Sequence, residues 1–326
     1  MVAPPAALVT GVSGQDGVHL ARLLADRGTR VVGTVRPGDP ALADMGVYLG
    51  GVEVVTHDVR DDEGFRALLQ AHRPTMVFNL AGFSSVGASW DHPELVDEVN
   101  GAAAERMLAA LLDHRDRAGF DVRYLQAGSA EETGDAADSP YARSKVRAHE
   151  ATTRAREEHD LFACTAVLHN HESPLRPLRF VTRKITRAAA EIALGRRDEL
   201  ALGNLSVARD WGAAADYVDA MVRMLQTQAP TDLVIATGVT HTLQDLLEVA
   251  FEAAGAGDPA AYVVPDPALL RPADSPTMTA DPSEARRVID WEATANFEEV
   301  VAHMVRVDLA RLRTGVEESV DYLDVR

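Results

Sequence analysis

The stretch Ala7-Leu8-Val9-Thr10-Gly11-Val12-Ser13-Gly14-Gln15-Asp16-Gly17-Val18 decides the fold. A short apolar run, Ala7–Gly11, reads as a strand, and it passes without a linker into a G-x-x-G-x-x-G turn made by Gly11, Gly14 and Gly17. From Val18 to Arg27 the pattern is helical. Glycines at this spacing permit a tight bend and a close approach of backbone to ligand, and they aim a helix N-terminus at a bound anion. A glycine pattern by itself is a weak signal, but its place after the first strand makes it a pyrophosphate cradle. Gly11, Ser13, Gly14, Gln15, Asp16 and Gly17 are its candidate residues, and an ordinary strand-to-helix turn is the plainer alternative.

Outward from this turn the same rhythm repeats. Strand-like runs lie at Arg30–Val35, Val52–Asp58, Met76–Ala81, Val122–Ala127, Phe162–His169 and Leu233–Thr237. Helical patterns separate them at Glu63–His72, Glu94–His114, Ala142–Glu158, Val181–Leu194 and Ala213–Gln226. Alternation of this kind specifies an α/β protein, a Rossmann-like doubly wound parallel sheet with helices on both faces. After about Asp210 the rhythm changes to short segments, prolines and two late helices, Thr242–Ala254 and Phe297–Arg313. The expected organisation is a dinucleotide-binding domain over residues 1–170, to which 208–240 returns. Residues 171–207 and 241–326 then form a smaller C-terminal substrate-binding lobe.

Composition narrows the function. The chain of 326 residues carries 32 basic and 50 acidic residues, a formal charge of −18, which argues against nucleic acid or an anionic membrane as partner. It has no apolar run long enough to span a bilayer and no signal-peptide pattern, so a cytoplasmic location is expected. Cys164 is the only cysteine, sits in an apolar stretch, and reads as a buried structural thiol. Nothing in the pattern calls for a metal. Of the 32 basic residues only Lys145 and Lys184 are lysines. A chain that uses arginine wherever a positive charge suffices marks those two positions as candidates for chemistry a guanidinium cannot perform.

The strand ends suggest which dinucleotide binds. The second strand ends Thr34-Val35-Arg36-Pro37, with no acid before Asp39. An acid at that place suits the free ribose hydroxyl of NAD, whereas arginine suits a 2′-phosphate, so Arg36 favours NADP over a merely solvated surface role. Asp58 and Val59 end the third strand, where Asp58 could accept from the adenine amino group. Asn79-Leu80-Ala81-Gly82 ends the fourth and would pass beneath the nicotinamide half.

Tyr141-Ala142-Arg143-Ser144-Lys145 holds the chemistry. Tyrosine and lysine four apart on a helix share a face, and the ammonium lowers the phenol pKa so that Tyr141 can exchange a proton with a sugar hydroxyl during hydride transfer. Lys145 can also donate to the nicotinamide ribose. The fifth strand ends Gly128-Ser129-Ala130-Glu131-Glu132. Ser129 is placed to hold the reacting sugar oxygen, and an adjacent carboxylate adds a base for the C5 proton of a 4-ketohexose. Ser129 with Glu131 therefore suggests elimination beyond oxidation. Spacing alone leaves Glu131 and Glu132 open, and both could instead cap the following turn.

These residues resemble the GDP-mannose 4,6-dehydratases, densely across residues 7 to 313. The resemblance includes Gly14 to Gly17, Asn170-His171-Glu172-Ser173-Pro174, Phe180-Val181-Thr182-Arg183-Lys184, Leu202-Gly203-Asn204-Leu205, Arg209-Asp210-Trp211-Gly212 and Ile235-Ala236-Thr237-Gly238. It implies that Tyr141 acts on the C4 hydroxyl, Glu131 takes the C5 proton, and Ser129 helps protonate the departing C6 hydroxyl, with NADP regenerated. It implies further cofactor contacts at Ser84, Lys145, His171 and Arg176. Contacts with a GDP-sugar are implied at Ser85, Asn170, Lys184, Arg209, Arg271 and Asp274, and a homodimer or tetramer as the assembly. Local basic residues would then hold a diphosphate on an acidic protein.

The chain departs from the family pattern at Ala130 and Glu132-Thr133, where a serine and an apolar–aromatic pair are usual, and at Leu95, Leu175 and Pro177-Leu178-Arg179. The loop after Arg36 is shorter than the family's. Two other readings compete. A 4-keto nucleotide-sugar reductase would consume NADPH stoichiometrically, and a non-catalytic NADP-sensing or scaffold protein would not need Tyr141, Lys145, Ser129 and Glu131 together.

Overall fold

The first strand, β1 (Ala6–Thr10), is buried at every residue, as an unbroken apolar run at the centre of a parallel sheet should be. The computed structural model describes residues 5–119, 121–132, 138–269 and 277–323. Further strands follow as β2 (Arg30–Val35), β3 (Glu53–Thr56), β4 (Met76–Asn79), β5 (Arg123–Ala127) and β6 (Phe162–Leu168). The later ones are β7 (Asn170–Glu172), β8 (Leu200–Leu202), β9 (Ala208–Ala213), β10 (Leu233–Ile235), β11 (Thr240–Thr242) and β12 (Val263–Pro265). Seven of them form one parallel sheet in the order β10-β6-β5-β4-β1-β2-β3. The order reverses between β1 and β4, so the crevice at the carboxyl ends of these two strands is where such a sheet binds its ligand.

The chain divides into two compact units. The first comprises Met1–Leu168, Val218–Ile235 and Ser283–Trp291. Its core joins sheet residues Leu8, Val32, Val77 and Tyr124 to Phe65, Leu69 and Leu111 on the flanking helices. One of those helices differs from expectation. The pattern over Glu94–His114 predicts a single helix, whereas the structure has a short helix at Pro93–Val96, a π-helical turn at Asp97–Ala102 and an α-helix at Ala103–Ala118. The wide turn carries Asn100, whose amide bonds Phe83 N and O and donates to Ser144 Oγ, all outside its own helix. Such turns commonly mark functional positions.

The second unit comprises His169–Tyr217, Ala236–Pro282 and Glu292–Arg326. The segment that returns to the first unit is thus shorter than the expected 208–240, and Ser283–Trp291 joins it as a second one. The reason is strand pairing: β9 lies between β7 and β11 in a separate three-stranded sheet, and only β10 extends the large one. In this unit the helices Val181–Ala193, Leu243–Ala254 and Phe297–Thr314 pack around Ile185, Leu246, Phe251, Val301 and Val305. The last two helices start with capping boxes, Thr242 with Asp245 and Asn296 with Glu299, which satisfy their first amides. Asp308, fully buried, accepts from the Arg183 guanidinium and the Thr186 hydroxyl, and Arg183 donates onward to the carbonyls of Pro174 and Arg176. This buried ionic cluster fixes the loop that follows β7.

Candidate active site

The glycine turn has the geometry its sequence requires. Gly11 adopts φ +71°, a left-handed conformation, and a Cβ there would sit 2.9 Å from Ala81 Cα. A Cβ on Gly17 would lie 2.3 Å from Gly11 O and 2.6 Å from Val12 Cα, so the first helix can approach β1 this closely only without a side chain. The helix Gln15–Asp26 begins after Gly14 with no side-chain cap, which leaves the first-turn amides as the anion-facing feature of the turn. These features fit a dinucleotide pyrophosphate. Beside them, Leu80 N and Ala81 N both donate to Thr10 Oγ1 at 3.1 Å, so the end of β4 is pinned to the end of β1.

At the end of β2 the Arg36 side chain is exposed, within 3.7 Å of Asp39. Asp39 itself folds back, accepting from Ser13 Oγ and from Ala41 N. The acid that lay too far along the sequence to count at the strand end therefore meets the glycine turn in space. Asp58 is held by Arg60 through its side chain and amide, and those bonds lower its carboxyl pKa to about 2 against the effect of burial. Val59 packs its side chain on the core. Ser84 is exposed, and Ser85 caps the helix Val86–Ser89 by accepting from Ala88 N.

The helix Pro140–His159 brings the reactive pair to β5. Ser139 caps it and Pro140 occupies its first turn, where a missing amide proton costs nothing. Tyr141 and Lys145 are both about nine-tenths buried, with Lys145 Nζ 5.7 Å from the centre of the Tyr141 ring. Lys145 Nζ donates to Ala127 O at 2.8 Å, which ties the helix to the last residue of β5, two residues before Ser129. Burial pushes the Lys145 ammonium pKa down, and the negative charges of Glu132 and Asp16 oppose that. The Ala127 carbonyl also accepts from Gln126 Nε2. Gln126 in turn joins Asn79, Tyr124 and Thr10 in a buried hydrogen-bonded row across the ends of β5, β4 and β1.

Ser129 is buried, and its hydroxyl accepts from Glu131 N at 3.2 Å in the 3₁₀ turn Ala130–Glu132. The two glutamates have different surroundings. Glu132, 5% exposed, accepts from Ser129 N at 2.6 Å and binds His149 Nδ1 at 2.7 Å. As whole residues Glu131 and Glu132 are both half-buried, the 5% being that of the Glu132 side chain. The sequence did not single out Glu132 as a partner of His149, nor Asn100 as the residue that clamps Ser144. No local spacing signals either contact, because both join different elements.

In the second unit β7 presents Asn170, His171 and Glu172. The buried His171 ring stacks on Tyr217 at 4.7 Å and its Nδ1 lies 2.7 Å from His169 O. Arg176 pairs with Glu172 at 3.2 Å and lies over the Phe180 ring at 3.9 Å. Lys184 Nζ donates to Ala201 O and lines a cleft of about 490 Å³ with Glu191, Arg196, Arg197 and Glu199. Arg209 is buried and donates to Ala208 O. Its neighbour Asp210 accepts from Thr237 N, Thr237 Oγ1 and Gly238 N, so two of the sequence pieces quoted above meet in one buried carboxylate. Arg271 and Asp274 lie outside the described residues.

Cys164 is buried with its thiol pKa pushed up by burial, as expected of a structural thiol. Among the described residues no helix is long and apolar enough to cross a membrane.

Comparison with known proteins agrees with these features. A relative from Arabidopsis thaliana called GDP-mannose 4,6 dehydratase 2 is 37% identical over 98% of this chain and 91% of its own length. The GDP-mannose 4,6-dehydratase of Sinorhizobium fredii (strain HH103) is 35% identical over 94% of this chain and 97% of its own. Among solved structures, UDP-glucose 4-epimerase from Thermotoga maritima superimposes with a TM-score of 0.81 at 19% identity, covering 94% of this chain and 99% of that one. RMD from Pseudomonas aeruginosa complexed with NADPH gives 0.77 at 20% identity over 94% of this chain and 98% of its own. At such identities the structures speak to fold alone. The model of the GDP-mannose 4,6 dehydratase family matches residues 8–304, and with relatives of this similarity and coverage the chain belongs to that family.

Proposed function

We propose that this protein dehydrates GDP-mannose to GDP-4-keto-6-deoxymannose with NADP as a regenerated cofactor. The observation that carries the reading is the Lys145–Ala127 bond, which sets the Tyr141–Lys145 helix against the strand end bearing Ser129 and Glu131. Gly11 to Gly17, Leu80, Ala81, Ser84, Asp58 and Val59 would hold the dinucleotide, with Arg36 at its 2′-phosphate. His171 and Arg176 are further cofactor candidates. Ser85, Asn170, Lys184, Arg209, Arg271 and Asp274 are the candidates for the GDP-sugar. When bound there, NADP would supply the hydride acceptor for C4 and the hydride donor for C6.

The residues of the chain handle the protons. Tyr141, beside the Lys145 ammonium, takes the proton of the C4 hydroxyl as the C4 carbonyl forms. That carbonyl acidifies C5, and the Glu131 carboxylate removes the C5 proton. The C6 hydroxyl leaves with the proton that Tyr141 took from the C4 hydroxyl, relayed through Ser129, giving water and a C5–C6 double bond and restoring Tyr141 and Ser129. Glu131 then returns its proton to C5. Atoms balance with the loss of one water and no change in the cofactor.

Purified protein incubated with GDP-mannose and catalytic NADP⁺, followed by mass spectrometry, tests this. Loss of one water from the nucleotide sugar without accumulation of NADPH is the expected outcome. An unchanged substrate in a protein that binds NADP refutes the substrate, and stoichiometric NADPH consumption with a 4-keto sugar would assign a reductase. A cytoplasmic homodimer is the proposed setting, consistent with a lone buried cysteine; light scattering tests the assembly.

A further inference from the structure

Glu132 stands where the resembling family usually has an apolar residue, yet it is buried beside the candidate reacting groups. A carboxylate placed there without compensation would be strongly unfavourable, because burial penalises its charge. The structure compensates it. One oxygen accepts from Ser129 N at 2.6 Å and the other meets His149 Nδ1 at 2.7 Å. His149 Nε2 reaches Asp232 Oδ2 at 3.4 Å. Asp232 is itself bound by both terminal nitrogens of Arg156 at 2.8 Å and by Thr165 N at 2.6 Å. The result is an alternating row of charges, Glu132, His149, Asp232 and Arg156, running from the 3₁₀ turn through the Tyr141–Lys145 helix to the strand edge.

We propose that Glu132 is a positioning residue of the dehydratase: gripped by His149, it fixes the Ser129 amide and so aims the turn that carries Ser129 and Glu131. This rests on the dehydratase reading of that turn. The two adjacent glutamates divide the work, Glu131 handling the substrate proton and Glu132 holding the scaffold.

Electrostatics supports the same division. The charges that meet His149 are Glu132 and Asp232; of the cations on its own helix, Arg156 bonds Asp232 and Lys145 lies one turn earlier. Hydrogen bonds donated to Asp232 and Glu132 raise its imidazole pKa to about 9, so the row is intact at neutral pH. Glu132 also helps keep Lys145 cationic against its burial. Loss of the Glu132 charge should therefore lower the pH at which Lys145 deprotonates.

Glu132→Gln keeps the shape and an acceptor for Ser129 N but removes the charge. It should fold, bind NADP⁺ within about twofold of the wild type, leave the KM for GDP-mannose little changed, and lower kcat by about tenfold or more, as misaimed reacting groups do. The alkaline limb of its kcat profile should move to lower pH. By NMR of labelled histidine, the His149 titration midpoint should fall from about 9 toward 6.5. Wild-type kcat with an unmoved alkaline limb overturns the proposal. So does loss of C5 deuterium exchange in Glu132→Gln with normal exchange in Glu131→Gln, which would make Glu132 the base. If the wild-type protein does not dehydrate GDP-mannose, the dehydratase reading fails; an unmoved His149 midpoint is what would then overturn the Glu132–His149 coupling. Should Glu132→Gln not fold, the double variant Glu132→Leu with His149→Phe removes both charges of the pair together. That variant should fold and remain slow, and wild-type kcat in it overturns the proposal.

Discussion

Raising the pH should loosen the first unit through His149, and the size of the effect follows from the site. The imidazole lies between Glu132 and Asp232, 28% exposed, with its pKa raised to about 9 from an ordinary 6.5 by hydrogen bonds to these two carboxylates. A histidine whose folded pKa is raised contributes its stability in full below the unfolded pKa and loses it as pH climbs through the folded one. The window is therefore pH 6.5 to 9. At 1.36 kcal/mol per pH unit the displacement is worth roughly 3 kcal/mol, and partial exposure brings it toward 2. The same bonds, with Arg156 and the Thr165 amide, outweigh burial and hold Asp232 well below the usual carboxylate range. They are one set of contacts and are counted once. For a chain of 326 residues, at about 2.1 cal/mol/K of unfolding entropy per residue, 2 kcal/mol is a Tm change of about 3 °C. The assay is the Tm of the wild type and of His149→Gln at pH 6 and pH 10, because lysines and tyrosines titrate alike in both. The wild type should be the more stable at pH 6, and its advantage should shrink by about 3 °C at pH 10. An advantage independent of pH would refute the argument.

Four further outcomes are expected. Tyr141→Phe should abolish turnover while NADP binding, measured by calorimetry, and the fold persist; loss of the fold instead would argue against its role. Glu131→Gln should still permit C4 oxidation, seen as a transient at 340 nm (roughly the NADPH band), but stop C5 deuterium exchange, a general-base loss of about 10²–10⁴-fold. Arg36→Glu should weaken NADP far more than NAD, and equal weakening of both would remove Arg36 from the 2′-phosphate. Asp308→Ala leaves the buried Arg183 and Arg311 without their shared carboxylate and should destabilise by about 3–5 kcal/mol in denaturant titration; a change below about 1 kcal/mol would show the cluster to be relaxed by water.

The strands, the parallel order and the cofactor turn were legible in the sequence because each rests on local physics. β1 and β4 are short, mostly apolar runs that end at Gly11 and Asn79, β2 is rich in valine, and the crossing helices repeat at 3.6 residues, so short-range patterning suffices. Gly11 and Gly17 announce themselves because only glycine fits the φ and the contact distance there. Tyr141 and Lys145 are a single helical turn apart, and lysine is otherwise almost absent from the chain. Segments such as β7, β9 and β11 escaped because three to six residues carry no periodicity, and their pairing joins residues 30 to 41 apart in the chain.

What only the tertiary structure decided is the identity of partners across elements. Spacing alone leaves Glu131 and Glu132 open, and only the fold shows that Glu132 bonds the Ser129 amide and His149. Asp39 counts as distant from the end of β2 along the chain, yet its loop returns it to Ser13. Asp210 and Thr237 belong to two motifs that read as independent until a buried carboxylate joins them. The sequence by itself determined the family, the fold class and the candidate reactive residues, since these depend on composition and short spacing. Which groups those candidates bond across elements depended on distance and burial, which exist only once the chain is folded.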